Sequence, residues 1–462
     1  MKRNKYVINL SGTELIINAF LCCFSVFAFI NGFHKQQHIA IISVAPFCFS
    51  MFLILSGFSK YFIRLPGLGM LLITCAMRYY LMPSLASFMP SDELLPGFIA
   101  SANLFVYEML VVLFSIWFFY TPLVKKLNLF PDSIEENKKN IIQYKTNHYL
   151  SILIIILAVG SLLANPSYLS KYHFIFSSDD YVKYIYESNW MVFIVDLGKT
   201  LLTIISIEFF YVRYVRTGEK RYVFLAYFIG IINAMIMTGL SRGSALVPCM
   251  TIMFVLLNAF PKYRKRTMIL FGSVLFILVI ISTIYKTQAT SGTQAFTYRW
   301  LYDYLAAYYG SLKNIDVAIQ TKLNGSITIS TLFNDIIRGI PIINKLGNPL
   351  DRTVIYYGYT YYGRAQFDQI VPTIGLGYIY LGYILSPTFS FLLVYIVYRA
   401  DIRYLRTPTL TNKYLLCFFA VQAGFKIVGD PTGLISLIFQ NLLIIYLVFE
   451  IEKLCFPKKL VY

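Results

Sequence analysis

The sequence predicts an all-α polytopic integral membrane protein of about twelve transmembrane helices, within a range of 11–14. Three observations carry this. The 462 residues are 58% hydrophobic and 13% charged, against about 45–50% and about 25% in soluble domains. Apolar runs of about 17–25 residues, enough to cross a ~30 Å hydrocarbon core as helices, recur along the chain. The basic residues behind the net charge of +18 gather between those runs.

The runs fall at 14–33, 39–58, 66–83, 98–120, 149–164, 190–212, 222–239, 244–260, 267–285, 371–398, 413–429 and 432–450. The first follows a short basic segment without a small-residue cleavage site and reads as a retained helix. Residues 371–398 are too long for a simple crossing and carry Gly375, Gly377, Gly382 and Pro387. A proline removes a backbone bond and kinks a helix, so a re-entrant piece followed by a span competes here with one long tilted helix. Residues 1–462 thus read as one transmembrane domain, with 122–148 a cytoplasmic loop and 286–370 a large external loop.

Orientation follows from the basic residues. With the amino terminus inside, the inner segments hold such clusters as Lys2, Arg3 and Lys5, Arg213, Arg216, Lys220 and Arg221, and Lys262, Arg264, Lys265 and Arg266. The short outer segments hold only Lys35, Lys171, Lys183, Arg242 and Lys426. By the positive-inside rule both termini are cytoplasmic and 286–370 is external. The charge is therefore a topology signal and argues against a nucleic-acid partner. The seven cysteines lie in spans or the inner tail, and the four histidines are scattered with none in the long loop. No spacing resembles a metal site, so neither metal nor cofactor is expected.

Ionisable residues inside spans are costly and are functional candidates by default. They are Arg78, Glu108, Asp196, Lys199 and Glu208. Asp196 and Lys199 can meet on one helix face as an ion pair. Arg78, near the outer end of its helix, can snorkel outward or reach into an external cavity. Arg242 stands in the short hairpin Ser241, Arg242, Gly243, Ser244, where a helix amino end and a planar guanidinium would together hold a phosphate. An interfacial anchor is the plainer reading of the same residue.

In the long loop, 298–321 (YRWLYDYLAAYYGSLKNIDVAIQT) has the mixed three and four spacing of an amphipathic helix lying on the bundle. Residues 351–370 (DRTVIYYGYTYYGRAQFDQI) crowd Tyr356, Tyr357, Tyr359, Tyr361 and Tyr362 between Arg352 and Arg364. Tyrosine offers a flat apolar face and a hydroxyl, which suits sugar rings; an interfacial aromatic belt accounts for some of these residues.

The outer SRG turn, the segment YDYLAAYYGSLKNIDVAI and the run YGYTYYGRAQFDQIVPTIGLGYIYLGYI entering a glycine-rich helix resemble the Wzy-type O-antigen polymerases, the oligosaccharide repeat-unit polymerase family. The resemblance covers most of the chain in layout and about a third of it in motif. It implies a fold like the GT-C-type glycosyltransferases and a multi-pass place in the bacterial inner membrane. The implied activity is transfer, on the periplasmic face, of a growing glycan from undecaprenyl pyrophosphate to a repeat unit on a second carrier. Implied partners are the lipid-linked glycan donor and acceptor, membrane lipid, a chain-length regulator and a flippase.

On that reading Arg242 would hold the diphosphate as charge develops on it, with Arg78, Arg299, Arg352 and Arg364 binding the carriers. Tyr308, Tyr309, Tyr357 and Tyr361 would contact sugars. The related ligases use a loop histidine as base; this loop has none, which leaves Asp303, Asp316, Asp335, Asp351 and Asp368 as candidates. A lipid-linked oligosaccharide flippase or polysaccharide exporter is the alternative, favoured by twelve helices and intramembrane charges, disfavoured by the absence of an internal repeat. The polymerase reading predicts that Arg242→Ala abolishes long-chain polysaccharide while the protein stays in the membrane, scored by gel electrophoresis of surface glycan; normal chain length would refute it.

Overall fold

The computed structural model describes residues 12–89, 99–129, 148–166, 172–174, 190–238, 243–291, 302, 312–325, 327–341, 343–348, 350–363 and 370–456. These are helical apart from short turns and one antiparallel ladder of two three-residue strands, pairing Tyr172 with Thr238 and Phe174 with Ile236. Among the described residues, five helices are long and apolar enough to cross a membrane: Ile16–Phe33, Gln37–Ser56, Pro66–Phe88, Ile99–Leu127 and Gly433–Cys455. The number rises to at most seven if each of two sharply bent helix pairs counts as one span.

The expected twelve thus reduce to a coarser statement, an α-helical membrane protein, for a physical reason. The helices Tyr149–Ala164, Lys220–Met235 and Leu410–Phe425 have 16 residues each, about 24 Å at 1.5 Å per residue. Trp190–Thr217 is long enough but carries Asp196, Lys199 and Glu208.

The chain divides into two compact units, the first comprising Met1–Leu129, Phe296–Arg399 and Ala423–Ser436. Its innermost span is Pro66–Phe88, 67% buried where Ile16–Phe33 is 22% buried. That span widens into a π turn at Ala76–Leu81 just before Pro83, which has no N–H to continue the helical ladder. The turn delivers Arg78 to Glu108: Nε and Nη2 donate to Oε2 at 3.0 and 2.5 Å, and Ser390 donates to Oε1 at 2.8 Å.

The long loop is built of helices. Leu312–Leu323 is the described part of the expected amphipathic helix and leaves Lys313, Gln320 and Leu323 exposed. It buries Asn314, Ile315, Val317, Ala318 and Thr321, and joins Tyr357, Val371, Leu376 and Ile379 in one apolar cluster. Ile329–Ile337 starts with a capping box between Thr328 and Thr331, and Thr353–Tyr362 ends on Gly363 at φ 70°, the left-handed stop that glycine permits.

The segment 371–398 is broken, which decides between the two readings of its glycines. Thr373–Leu385 and Thr388–Arg406 meet at 109°. Gly382 takes φ 80°, ψ −175°, a backbone that side-chain-bearing residues rarely adopt. The chain then folds back so closely that a Cβ on Gly377 would lie 1.8 Å from the Ser386 carbonyl oxygen. A helix that stops leaves its last carbonyls without partners; Lys322 Nζ donates to that of Tyr378 at 2.7 Å.

The second unit comprises Phe130–Ala295, Ala400–Gln422 and Leu437–Tyr462. Trp190–Thr217 packs against Tyr149–Ala164, so closely that a Cβ on Gly198 would lie 2.4 Å from that of Ala158. His148, just ahead of the latter helix, sits between two carboxylates, 3.5 Å from Glu208 and 3.3 Å from Glu452. Burial lowers its pKa, but the hydrogen bonds and charges of both glutamates outweigh that and raise it to about 9. Thr411 donates to Glu208 and the Ser151 N–H to Glu452, so each acid has a further partner.

Removing one member of a buried ion pair strands the other charge, at about 3–5 kcal/mol, whereas replacing both with apolar groups is often neutral. Arg78→Ala should therefore lower the melting temperature sharply in detergent, and Arg78→Met combined with Glu108→Leu should restore most of it. An Arg78→Ala protein as stable as the parent would contradict this role.

Candidate functional site

Within the first unit, the loop gathers charged side chains around the start of the helix Thr353–Tyr362. Arg352 is its N-cap residue and makes no side-chain cap of its own. The exposed backbone N–H is met from a neighbouring helix: Asp335, near the end of Ile329–Ile337, accepts from Thr353 N–H at 3.2 Å. A carboxylate there is favoured by the partial positive charge of a helix amino end.

Arg352 Nε stands 3.6 Å from Asp335 Oδ1, close for an ion pair but too long for a hydrogen bond. That nitrogen is buried with no hydrogen-bond partner, while the residue as a whole is 8% exposed. An unmade bond on a buried guanidinium is costly, and binding of an anion would satisfy it. Burial raises the Asp335 pKa, opposed by its hydrogen bonds to Thr353, and the nearby Asp430 raises it further against the effect of Arg352. Burial also lowers that of Arg352, with Arg338 adding to the effect and Asp335 and Asp430 opposing it.

The surroundings complete a charged cluster. Asp430 lies in the turn Gly429, Asp430, Pro431, Thr432, where its carboxylate accepts from the Thr432 N–H and hydroxyl at 2.8 Å. Lys426 is within electrostatic reach of Asp430, and Thr373 ties that segment down by donating to the Lys426 and Gly429 carbonyls. Gly339 allows the close approach, since a Cβ there would lie 2.7 Å from Ser436 N. Tyr380 and Thr353 share a hydrogen bond of 2.5 Å between hydroxyls. Arg338, Arg352 and Lys426 face Asp335, Asp430 and Asp351, the last of which also acts on Tyr380, so the cluster balances in formal charge, with Arg338 exposed.

The structure thus brings Asp335 and Arg352 together. It corrects two other expected contacts. Arg78 is 0% exposed and its guanidinium is engaged by Glu108, so it reaches neither surface nor cavity; the π turn points it inward. Tyr357 is also 0% exposed, its hydroxyl donating to the Asn314 carbonyl at 3.1 Å, because it faces the apolar cluster on one side of a helix. Tyr361 stacks beside Tyr357 and receives Lys313 Nζ 4.4 Å from its ring centre. The most exposed of these tyrosines are Tyr359 and Tyr362, 52% and 45% exposed, the latter with its ring 4.5 Å from that of Tyr361.

Asp351 accepts from Thr331, Asn334 and Tyr356, which makes it a brace between two helices, and Asp316 is buried in Leu312–Leu323. Arg242, Arg299, Asp303, Tyr308, Tyr309, Arg364 and Asp368 lie outside the described residues.

Sequence reasoning missed Arg338, Asp430, Lys426 and Tyr380 as members of the site. The signal for Asp430 was its Asp-Pro-Thr-Gly turn, but nothing local in the sequence says that the turn meets a helix some ninety residues earlier.

No family model, no curated protein and no solved structure matches the chain.

A site with a buried guanidinium nitrogen that makes no hydrogen bond, beside the exposed Arg338, should take a small phosphate anion. Inorganic pyrophosphate is expected to raise the melting temperature of the purified protein through ligand linkage, and Arg352→Ala to remove that rise. An unchanged pyrophosphate response in Arg352→Ala would contradict the assignment.

Proposed function

We propose that this chain is a membrane glycosyltransferase that joins undecaprenyl-pyrophosphate-linked oligosaccharide repeat units into O-antigen or a related surface polysaccharide, working on the periplasmic face of the inner membrane. The observation that carries the reading is the pairing of a buried carboxylate of raised pKa, Asp335, with a buried arginine that has hydrogen bonding to spare. It occurs in the loop that the charge pattern assigns to the outside. The family resemblance of the sequence supports the same reading.

The chemistry needs those two kinds of group. An acceptor hydroxyl oxygen attacks the anomeric carbon of the donor glycan while the bond from that carbon to the pyrophosphate oxygen breaks. The hydroxyl proton passes to Asp335, which a raised pKa makes a better base. The departing undecaprenyl pyrophosphate is stabilised by Arg352, Arg338 and Lys426, joined in this proposal by Arg242, Arg299 and Arg364. Tyr359, 52% exposed, is the tyrosine of this helix most accessible to the sugars.

Arg352→Ala should cut polymerisation by about 10²–10³-fold, the scale for losing one charge-stabilising donor. In Asp335→Asn the acid limb of the pH–rate profile should disappear; in the parent that limb should lie above the ordinary carboxylate value of about 3.9, because protonated Asp335 cannot accept a proton. In cells, loss of the protein should leave single repeat units capped on the outer lipid. Loss of all repeat units would instead support a flippase, and a parental acid limb retained in Asp335→Asn would remove that residue from the mechanism.

A further inference from the structure

The second unit holds a partly open cavity of about 240 Å³ that the reaction above does not use. At roughly 30 Å³ of liquid volume per water it has room for about eight waters. It is smaller than the ~300 Å³ at which pockets for drug-sized ligands begin.

Its lining is unusual for the interior of an apolar bundle. Tyr414, Phe418 and Gln422 reach it at successive four-residue steps of one helix, and Asp196, Lys199 and Thr200 at three and four spacing of another. Asn233 comes from a third, and Asn441 from the π turn Ile438–Leu442, a kind of turn found often at functional sites.

The hydrogen bonding is incomplete in one specific way. Lys199 Nζ donates to the Ile236 carbonyl at 2.7 Å and Thr200 to the Asp196 carbonyl at 2.9 Å. The side-chain amides of Asn233, Gln422 and Asn441 make no hydrogen bond to any described residue, and Asn233 is only 9% exposed. Each amide carries two donors and an acceptor oxygen, and Gln422 and Asn441 are half-buried, so these groups are available to a guest in the cavity.

The chemistry of an occupant follows. Asp196 and Lys199 balance in charge, so a bare cation would meet the lysine and a bare anion the aspartate. Three amides offer donors and acceptors together, which match hydroxyl groups, since each of those both gives and takes a hydrogen bond. Tyr414 and Phe418 bring aromatic rings to the wall, fitting the apolar face of a ring-shaped guest.

We propose that this cavity binds one sugar ring of the glycan, as a subsite made by Asn233, Gln422 and Asn441 with the rings of Tyr414 and Phe418. This rests on the reading that the protein handles lipid-linked glycan. The subsite holds sugar hydroxyls and takes no part in departure of the diphosphate.

The test is calorimetric titration of the full-length protein in nanodiscs with two probes, the repeat-unit oligosaccharide released from its carrier by mild acid and undecaprenyl pyrophosphate without sugar. Asn441→Leu should weaken oligosaccharide binding about tenfold, the scale of one or two hydrogen bonds, and leave undecaprenyl pyrophosphate within twofold. Gln422→Glu, which keeps shape and replaces the amide donors, should do the same and guards against loss of folding in the leucine variant. Parental oligosaccharide affinity in both variants, or equal weakening of both probes, overturns the subsite. A parent that extends lipid-linked units while the variants bind oligosaccharide unchanged removes the subsite and leaves the polymerase reading. A parent that extends nothing yet binds oligosaccharide through these amides removes the polymerase reading and leaves the subsite.

Discussion

A charge inside an apolar bundle must be completed by its neighbours, and that constraint organises this protein. Taking an ion out of water costs several kcal/mol even after relaxation. Arg78 therefore has Glu108, and Glu108 has Ser390. His148 has two glutamates, each bonded again by Thr411 or Ser151. These clusters are closed: the groups that face one another use one another up, and they hold helices together.

Two clusters among the described residues are more open. Around Arg352 a guanidinium nitrogen is buried without a bond. Around Asn441 three amides face a cavity with their hydrogen bonds unmade. The difference between the closed clusters and the open ones separates side chains that hold the fold from those available to a ligand, and it separates them by geometry that neither composition nor charge count supplies. The open loop cluster depends on the broken helix after Thr373. Gly382 and Gly377 let the chain double back, and Lys322 compensates the carbonyl of Tyr378 at the break. Without that turn, Tyr380 and Thr353 would not meet.

How much of this was legible in the sequence varies with the range of the interaction. Helices were legible because apolar runs are local, and the break in 371–398 because Gly382 and Pro387 act on their own backbone. Arg352 and Asp335 were readable as candidates, since charge among tyrosines in a long loop is conspicuous. Their contact was not, because it depends on the packing of two helices. Arg78 and Tyr357 were misread for one reason: a sequence shows which residue can bind a ligand but not which way a π turn or a helix face points it. Fewer than twelve spans are recovered among the described residues, because a run of apolar residues does not reveal that its helix stops after 16 residues.

The proposed activity joins these features through one requirement, a base and a diphosphate clamp at the same loop cluster. Its most direct test is to incubate the purified protein with lipid-linked repeat units, with and without divalent metal, and resolve the products on a gel. The account predicts a ladder of glycans in repeat-unit steps from the parent protein, lost in Arg352→Ala while the variant stays folded. Folded parent protein that leaves every unit unjoined under both conditions would contradict it.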